Sequence, residues 1–148
     1  MEFAEKELTL EVLETLLKMS ADWAAENSCR GYYPNGESDI RGNRIFLAMD
    51  DGTPVGYLLG QVTRAERASS VMKENTPFFE VEELYIVPSR RSQGLGGELF
   101  RFVEHSVKAE AEYILLSTAT KNWRAILHFY IEELGMEFWN ARLFKKIE

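Results

Sequence analysis

The run Arg90-Arg91-Ser92-Gln93-Gly94-Leu95-Gly96-Gly97 sets two guanidinium groups directly before three glycines. Backbone N–H groups at a helix N-terminus, approached without side-chain obstruction through glycines, bind anions. Arginines beside them supply charge that suits a phosphate. The run therefore has the makings of a phosphate cradle. Its spacing excludes two common designs. A nucleotide P-loop needs Lys-Ser or Lys-Thr after its last glycine, and Glu98-Leu99 follows Gly97. A dinucleotide fingerprint counted from Gly94 needs glycine or alanine where Leu99 stands. His105 and His128 fall on polar helix faces, and no cluster of His, Cys, Asp and Glu has metal-ligand spacing, so no metal is expected.

The elements that must hold this run follow from pattern. Leu84-Tyr85-Ile86-Val87 reads as a strand that Pro88 ends, since proline cannot donate to a sheet ladder. A helix begins near Gly94 and extends to about 111, with Leu95, Leu99, Val103 and Val107 forming an i, i+4 apolar stripe. Residues 112–118 read as the next strand, which a strand–helix–strand crossover sets parallel to the first. Earlier, residues 9–26 predict an amphipathic helix through Leu10, Leu13, Leu17, Ala21 and Ala24, with Thr9 as N-cap. Residues 27–42 form a loop whose Tyr32 and Tyr33 pack on the core or line a pocket. Two apolar runs around Asp50-Asp51-Gly52 predict a hairpin, and residues 64–77 a polar connection. A second helix is expected at 122–134, stopped by Gly135, and a last strand at 137–146.

Length and composition bound the rest. A chain of 148 residues fits one domain, 1–148, and its 45% hydrophobic and 28% charged content is ordinary for a soluble globular protein. No apolar run approaches membrane-spanning length, the N-terminus is acidic unlike a signal or transit peptide, and Cys29 is alone. A cytoplasmic protein without membrane attachment is the expectation. The net charge of −7 argues against nucleic acid as a partner. The excess is local: residues 1–40 hold nine acidic against three basic residues, either a solvated face or an attractive field for a cationic amine.

Arg91-x-x-Gly94-x-Gly96, after a strand ending at Pro88, resembles the acetyl-CoA motif of the GNAT superfamily of N-acetyltransferases. The order of predicted elements is similar to a GNAT domain over nearly the whole chain. The resemblance implies an α/β (α+β) fold: a mixed, mostly antiparallel central sheet flanked by helices, with a parallel strand pair around the CoA-binding helix. It implies acetyl-CoA as cosubstrate and acetyl transfer to a primary amine, here a small molecule. The alternatives are a peptide or protein amine, or a silent acyl-CoA-binding domain. A weaker likeness, in Arg90-Arg91 and Phe144-Lys145-Lys146, is to aminoglycoside 6′-type enzymes. Homodimers through C-terminal strands occur in the superfamily.

By the same resemblance, backbone groups of Ile86 and Val87 hold the pantetheine arm and polarise the thioester. N–H groups of Arg91, Ser92, Gln93, Gly94, Leu95, Gly96 and Gly97 hold the diphosphate. An acid near the start of the strand serves as base, with Glu82 favoured over Glu80 by register. Strand alternation puts Glu80 and Glu82 on one face and Glu83 on the other. The need for a base is real: deprotonating an alkyl amine of pKa near 10.4 at pH 7 costs about 4–5 kcal/mol. The superfamily's second helix commonly runs Asn-x-x-Ala-x-x-Phe/Leu-Tyr-x-x-x-Gly-Phe, with its tyrosine beside the CoA sulfur. That makes Tyr130 the candidate acid and Asn122 a CoA contact. Tyr130 stands one residue too far from both Asn122 and Gly135, which a longer helix would explain.

Overall fold

The sheet grows outward from the predicted hairpin. The computed structural model describes residues 1–148, and in it β2 (Arg44–Asp50) and β3 (Thr53–Arg64) pair antiparallel. Between them Asp51 and Gly52 take φ of 49° and 78°. Two successive positive φ angles match a two-residue turn to the twist of its strands. β4 (Pro77–Ile86) adds antiparallel to β3, and β5 (Tyr113–Leu116) adds parallel to β4. Parallel neighbours need a crossover, which α3 (Leu95–Val107) supplies. β1 (Glu2–Lys6) completes the order β1-β2-β3-β4-β5. The mixed, mostly antiparallel sheet with one parallel pair is therefore present.

Helices cover both faces, as strict alternation in β2 requires. Phe46 and Ala48 enter the core under α3, where Leu99 and Val103 meet them. Ile45 and Leu47 enter the core under α1 (Leu10–Glu26), with Leu16, and α2 (Glu37–Ile40), with Ile40. All four residues of the α3 stripe are buried. Thr9 caps α1 by accepting from the Val12 N–H at 3.2 Å. The buried face of α1 runs through Leu13, Leu16 and Ser20, leaving Leu10 71% exposed. A polar residue with internal partners takes a place that a count of apolar types skips.

Four expectations change. β1 lies where no strand was expected, because its five residues alternate too little to signal one. β4 starts at Pro77 rather than Leu84, so most of the polar connection is a hairpin tip. The second helix is α4 (Trp123–Leu127) followed by a π-helical stretch, His128–Glu133. Residues 137–148 form no strand and are exposed throughout. A strand exists only with a hydrogen-bonded neighbour, and within one copy this segment takes none.

Glycine has a packing reason at Gly60, opposite Val81. A Cβ there would stand 2.5 Å from the Glu80 carbonyl oxygen and 2.6 Å from the Phe79 ring. Gly60→Ala should lower stability by about 1–3 kcal/mol, as overpacking does. Urea unfolding checks this, with a drop in midpoint at constant slope as the expected result.

Candidate active site

β5 pairs with β4 only from Phe78 to Val81, and the two strands then part. Beyond Val81, β4 keeps β3 on one side and faces a gap on the other. Alternate residues of an antiparallel ladder aim their main-chain groups at opposite edges. The Val87 N–H donates to the Val55 carbonyl at 2.9 Å, so Ile86 and Leu84 point their groups into the gap. The Val87 carbonyl accepts from the Arg90 N–H at 2.9 Å, so both main-chain groups of Val87 are already committed. Of the two residues assigned to the thioester arm, Ile86 faces the gap and Val87 does not. Leu84 also faces the gap. Only the register against β3 reveals this, and one strand read alone does not carry it.

A β-bulge lies at the top of the gap. Gly60 pairs with Val81 and Leu59 with Glu83, which leaves Glu82 without a partner. Bulges re-aim side chains and recur beside active sites. The extra residue also breaks the alternation on which the sequence reading relied. Glu83 falls on the α1 face with Tyr57, not on the opposite one. Glu82 lines the cleft together with Glu83, and Glu80 stands outside it. Burial first, then the charge and hydrogen bond of Glu80, then the charge of Glu83, hold the Glu82 carboxyl above the usual carboxylate range. A carboxylate moved in that direction is a better proton acceptor.

At the lower end of the gap stands the N-terminus of α3. Gly94 is its N-cap at φ 84°, and no side chain caps the helix. The first intrahelical bond is Glu98 N–H to the Gly94 carbonyl at 3.0 Å, so the N–H groups of Leu95, Gly96 and Gly97 have no intrahelical acceptor. Gly96 faces the Phe129 ring of the π-helical stretch, which a Cβ would meet at 3.4 Å, an ordinary contact distance. The arginines do something else. Arg91 pairs with Glu26 at 2.6 and 2.9 Å, donates through Nε to the Ile86 carbonyl at 2.7 Å, and lies over the Tyr85 ring. Arg90 pairs with Asp50 at 2.6 Å. Both guanidinium groups fasten the loop to other elements, and the groups left to meet an anion are backbone N–H groups. They suit a diphosphate.

Tyr130 forms the far wall. Two residues in excess of the familiar spacing are accommodated by the π-helical turn, where the Leu134 N–H reaches five residues back to the Phe129 carbonyl. Tyr130 still lines the cleft. Burial, with a smaller contribution from Cys29, pushes its pKa up to about 12, so it holds its proton at neutral pH. Asn122 also lines the cleft, at the start of α4, and makes no side-chain capping bond.

The residues between α1 and α2 cross the open end of the gap. Arg30 N–H bonds the Ala119 carbonyl at 2.9 Å, Lys121 N–H bonds the Ser28 carbonyl at 2.8 Å, and Cys29 bridges to Thr120. The cleft measures about 780 Å³ and reaches both faces of the sheet: Trp23 and Cys29 line the α1 side, Phe129 and Tyr130 the α3 side. Sequence reading did not find Trp23, Cys29 or Thr120, because each sits in a segment without a motif.

Comparison with known proteins agrees with this geometry. Residues 12–136 match the model of the acetyltransferase (GNAT) family. No functionally curated protein matches the sequence significantly. Solved structures share the fold over the whole length. The aminoglycoside N-acetyltransferase AAC(6')-Iy in complex with CoA is 19% identical, with 99% of each chain covered and a TM-score of 0.64. An aminoglycoside 6'-N-acetyltransferase from Acinetobacter haemolyticus is 17% identical over 100% of each chain, with a TM-score of 0.66. A ribosomal-protein-alanine N-acetyltransferase from Brucella melitensis is 16% identical over 98% of each chain, with a TM-score of 0.67. With five-sixths of its length matched by the family model, the chain belongs to the GNAT family of acetyltransferases.

Proposed function

We propose that this protein transfers an acetyl group from acetyl-CoA, the cosubstrate of its family, to a primary amine of a small molecule. One observation carries the reading: a single gap in the sheet joins uncapped helix N–H groups, a re-aimed carboxylate and a protonated phenol. When bound, acetyl-CoA supplies an activated thioester carbonyl. The protein's part is to hold, orient and move protons. Backbone N–H groups of Ser92 through Gly97 hold the diphosphate, while the Arg91 N–H, expected among them, donates to the Pro88 carbonyl at 3.3 Å. The Ile86 N–H and the main-chain groups of Leu84 orient the arm, the Ile86 carbonyl being held by Arg91 Nε, and an N–H there polarises the carbonyl oxygen. Glu82 takes a proton from the amine, directly or through water. Nitrogen bonds to the carbonyl carbon, the C–S bond breaks, and Tyr130 gives its proton to the departing sulfur. Asn122 is a further CoA contact.

The small-molecule acceptor is supported by the strap of residues 28–30, whose bonds to residues 119–121 bound the cleft on one side. It is also supported by two structural neighbours named for aminoglycosides. The single domain 1–148 and a cytoplasmic location remain part of the proposal. No helix is long and apolar enough to cross a membrane. A homodimer is proposed from residues 137–148, where Leu143 and Ile147 are 94% and 93% exposed. An extended apolar segment of that kind calls for a partner.

Acetyl-CoA at 100 times its dissociation constant should stabilise the fold by about 2.7 kcal/mol, read as a shift in thermal midpoint. Thiol release should then appear with at least one of kanamycin, spermidine and an alanine-initiated peptide. Glu82→Gln and Tyr130→Phe should each lower that rate by about 10²–10⁴. A midpoint shift without release from any amine would favour the silent binding domain. No shift would remove the cradle.

Glu82 also makes a stability prediction. Its carboxyl binds a proton more readily in the fold than in the unfolded chain, so it favours the fold at low pH. That contribution is lost as pH rises from the usual value of 4.5 through the raised one. Glu82→Gln should therefore raise the thermal midpoint at pH 7.5, with the difference closing below pH 4.5. A gain that persists unchanged in acid would contradict this origin. For the dimer, light scattering should find a chain ending at Met136 monomeric and the full chain at twice the monomer mass.

A further inference from the structure

Glu83 differs from its two acidic neighbours in having every oxygen occupied. Oε1 accepts from the Tyr57 hydroxyl at 2.7 Å, the Tyr32 hydroxyl at 3.0 Å and Asn35 Nδ2 at 3.0 Å. Oε2 accepts from the same Asn35 Nδ2 at 2.9 Å. Oε1 thus carries three of the four contacts, and the carboxylate is held in one orientation by donors from two separate parts of the chain. The donors come from two places. Tyr57 belongs to β3 and is fully buried, whereas Tyr32 and Asn35 belong to the segment between α1 and α2.

The bonds close into a circuit through α1. Tyr32 gives its only proton to Glu83, so at 2.7 Å the Ser20 hydroxyl is the donor to Tyr32. Ser20 is fully buried, and its oxygen in turn accepts the Asn35 N–H at 2.8 Å. Each proton has one place to go. Burial pushes Tyr32 up to about 12, and burial followed by the Glu83 charge raises Tyr57, so both phenols stay donors at neutral pH. The Trp23 ring packs on Tyr32 at 4.4 Å and on Tyr85 at 5.4 Å, which places this circuit behind the aromatic wall on the α1 side of the cleft. Three residues further back along the same segment, Cys29 is bridged to Thr120 across the gap.

We propose that Glu83 is a positioning residue of the transfer reaction: its carboxylate pins residues 28–36 to the bulge of β4, and so fixes the wall against which the acceptor amine meets Glu82. The assignment rests on the acetyltransferase reading of this cleft. It separates two acids adjacent in sequence. Glu82 is left unbonded to any other element and acts on the proton, while Glu83 is tied by Tyr57, Tyr32 and Asn35 and acts through the segment it holds. The α3 N-terminus lies at the other end of the gap and is not part of the circuit, so the donor half of the site should not feel its loss.

The test compares wild type with Glu83→Gln and Asn35→Ala by amide hydrogen exchange and by steady-state kinetics. The second variant leaves Glu83 and the buried Tyr57 in place, and keeps the question open if the first does not fold. Both substitutions should speed exchange across residues 28–36 at least tenfold. Both should raise KM for whichever of kanamycin, spermidine or the alanine peptide the wild type acetylates, at least fivefold, with kcat changed less than threefold. The midpoint shift given by acetyl-CoA should be unchanged, and the double variant should be no worse than Glu83→Gln alone, as members of one network behave. A collapse of kcat in Glu83→Gln with KM and exchange unchanged would overturn the proposal and make Glu83 the base. Faster exchange with an unaltered KM would overturn it as well. If the wild type acetylates none of the three amines, the acetyltransferase reading fails with the kinetic half of this proposal, and exchange reports on the pinning separately.

Discussion

The parting of β4 from β5 is the constraint on which the rest depends. Four residues of parallel pairing hold the two strands together at one end. Past Val81 they diverge, and β4 must stay ordered with a ladder on one side only. The bond from the Val87 N–H to the Val55 carbonyl and the buried Ile86 and Tyr85 keep it in place. Main-chain groups that would be satisfied in a continuous sheet are instead presented to the cleft, where a buried polar group without a partner is costly. A ligand able to bond along a strand edge relieves that cost. The bulge at Glu82 belongs to the same event, because the residue that loses its partner there is the one turned into the gap.

The electrostatics follow from how few charges are left free. Arg90 and Arg91 are each held by a carboxylate from another element, and Glu83 is held by hydroxyl and amide donors. These contacts give the cleft walls definite positions. The partly exposed ion pairs contribute little to stability on their own. Against these fixed walls the cleft presents the orphan N–H groups at α3, the Glu82 carboxyl and the Tyr130 hydroxyl.

Much of this was legible in the sequence. The hairpin turn, the α3 stripe, the strand ended by Pro88 and the glycine-rich helix start each depend on local rules. They stand where those rules put them. The parts that were not legible depend on pairing. Alternation along residues 80–83 could not foresee the extra residue at Glu82, because a bulge is a property of two strands. Val87 looked equivalent to Ile86 until β3 supplied the register. The arginines read as phosphate ligands because their partners, Glu26 and Asp50, lie far away in the chain. The offset at Tyr130 was visible as a count, but only the π-turn shows how the extra residues are housed. Residues 137–146 have the composition of a strand, and composition cannot supply a neighbour.

A donor site made of main-chain groups has a consequence for how the family diverges. Strand edges and helix ends present the same N–H groups whatever side chains flank them, so neutral drift can rewrite the flanking residues without erasing the site. This fits a chain that keeps its fold at 16–19% identity to its neighbours. The acceptor wall is written in the opposite medium, in the side chains of one short segment tied to β4 at a single carboxylate. Replacing that segment would exchange one acceptor for another and leave the donor half untouched, a modular arrangement open to rapid specialisation.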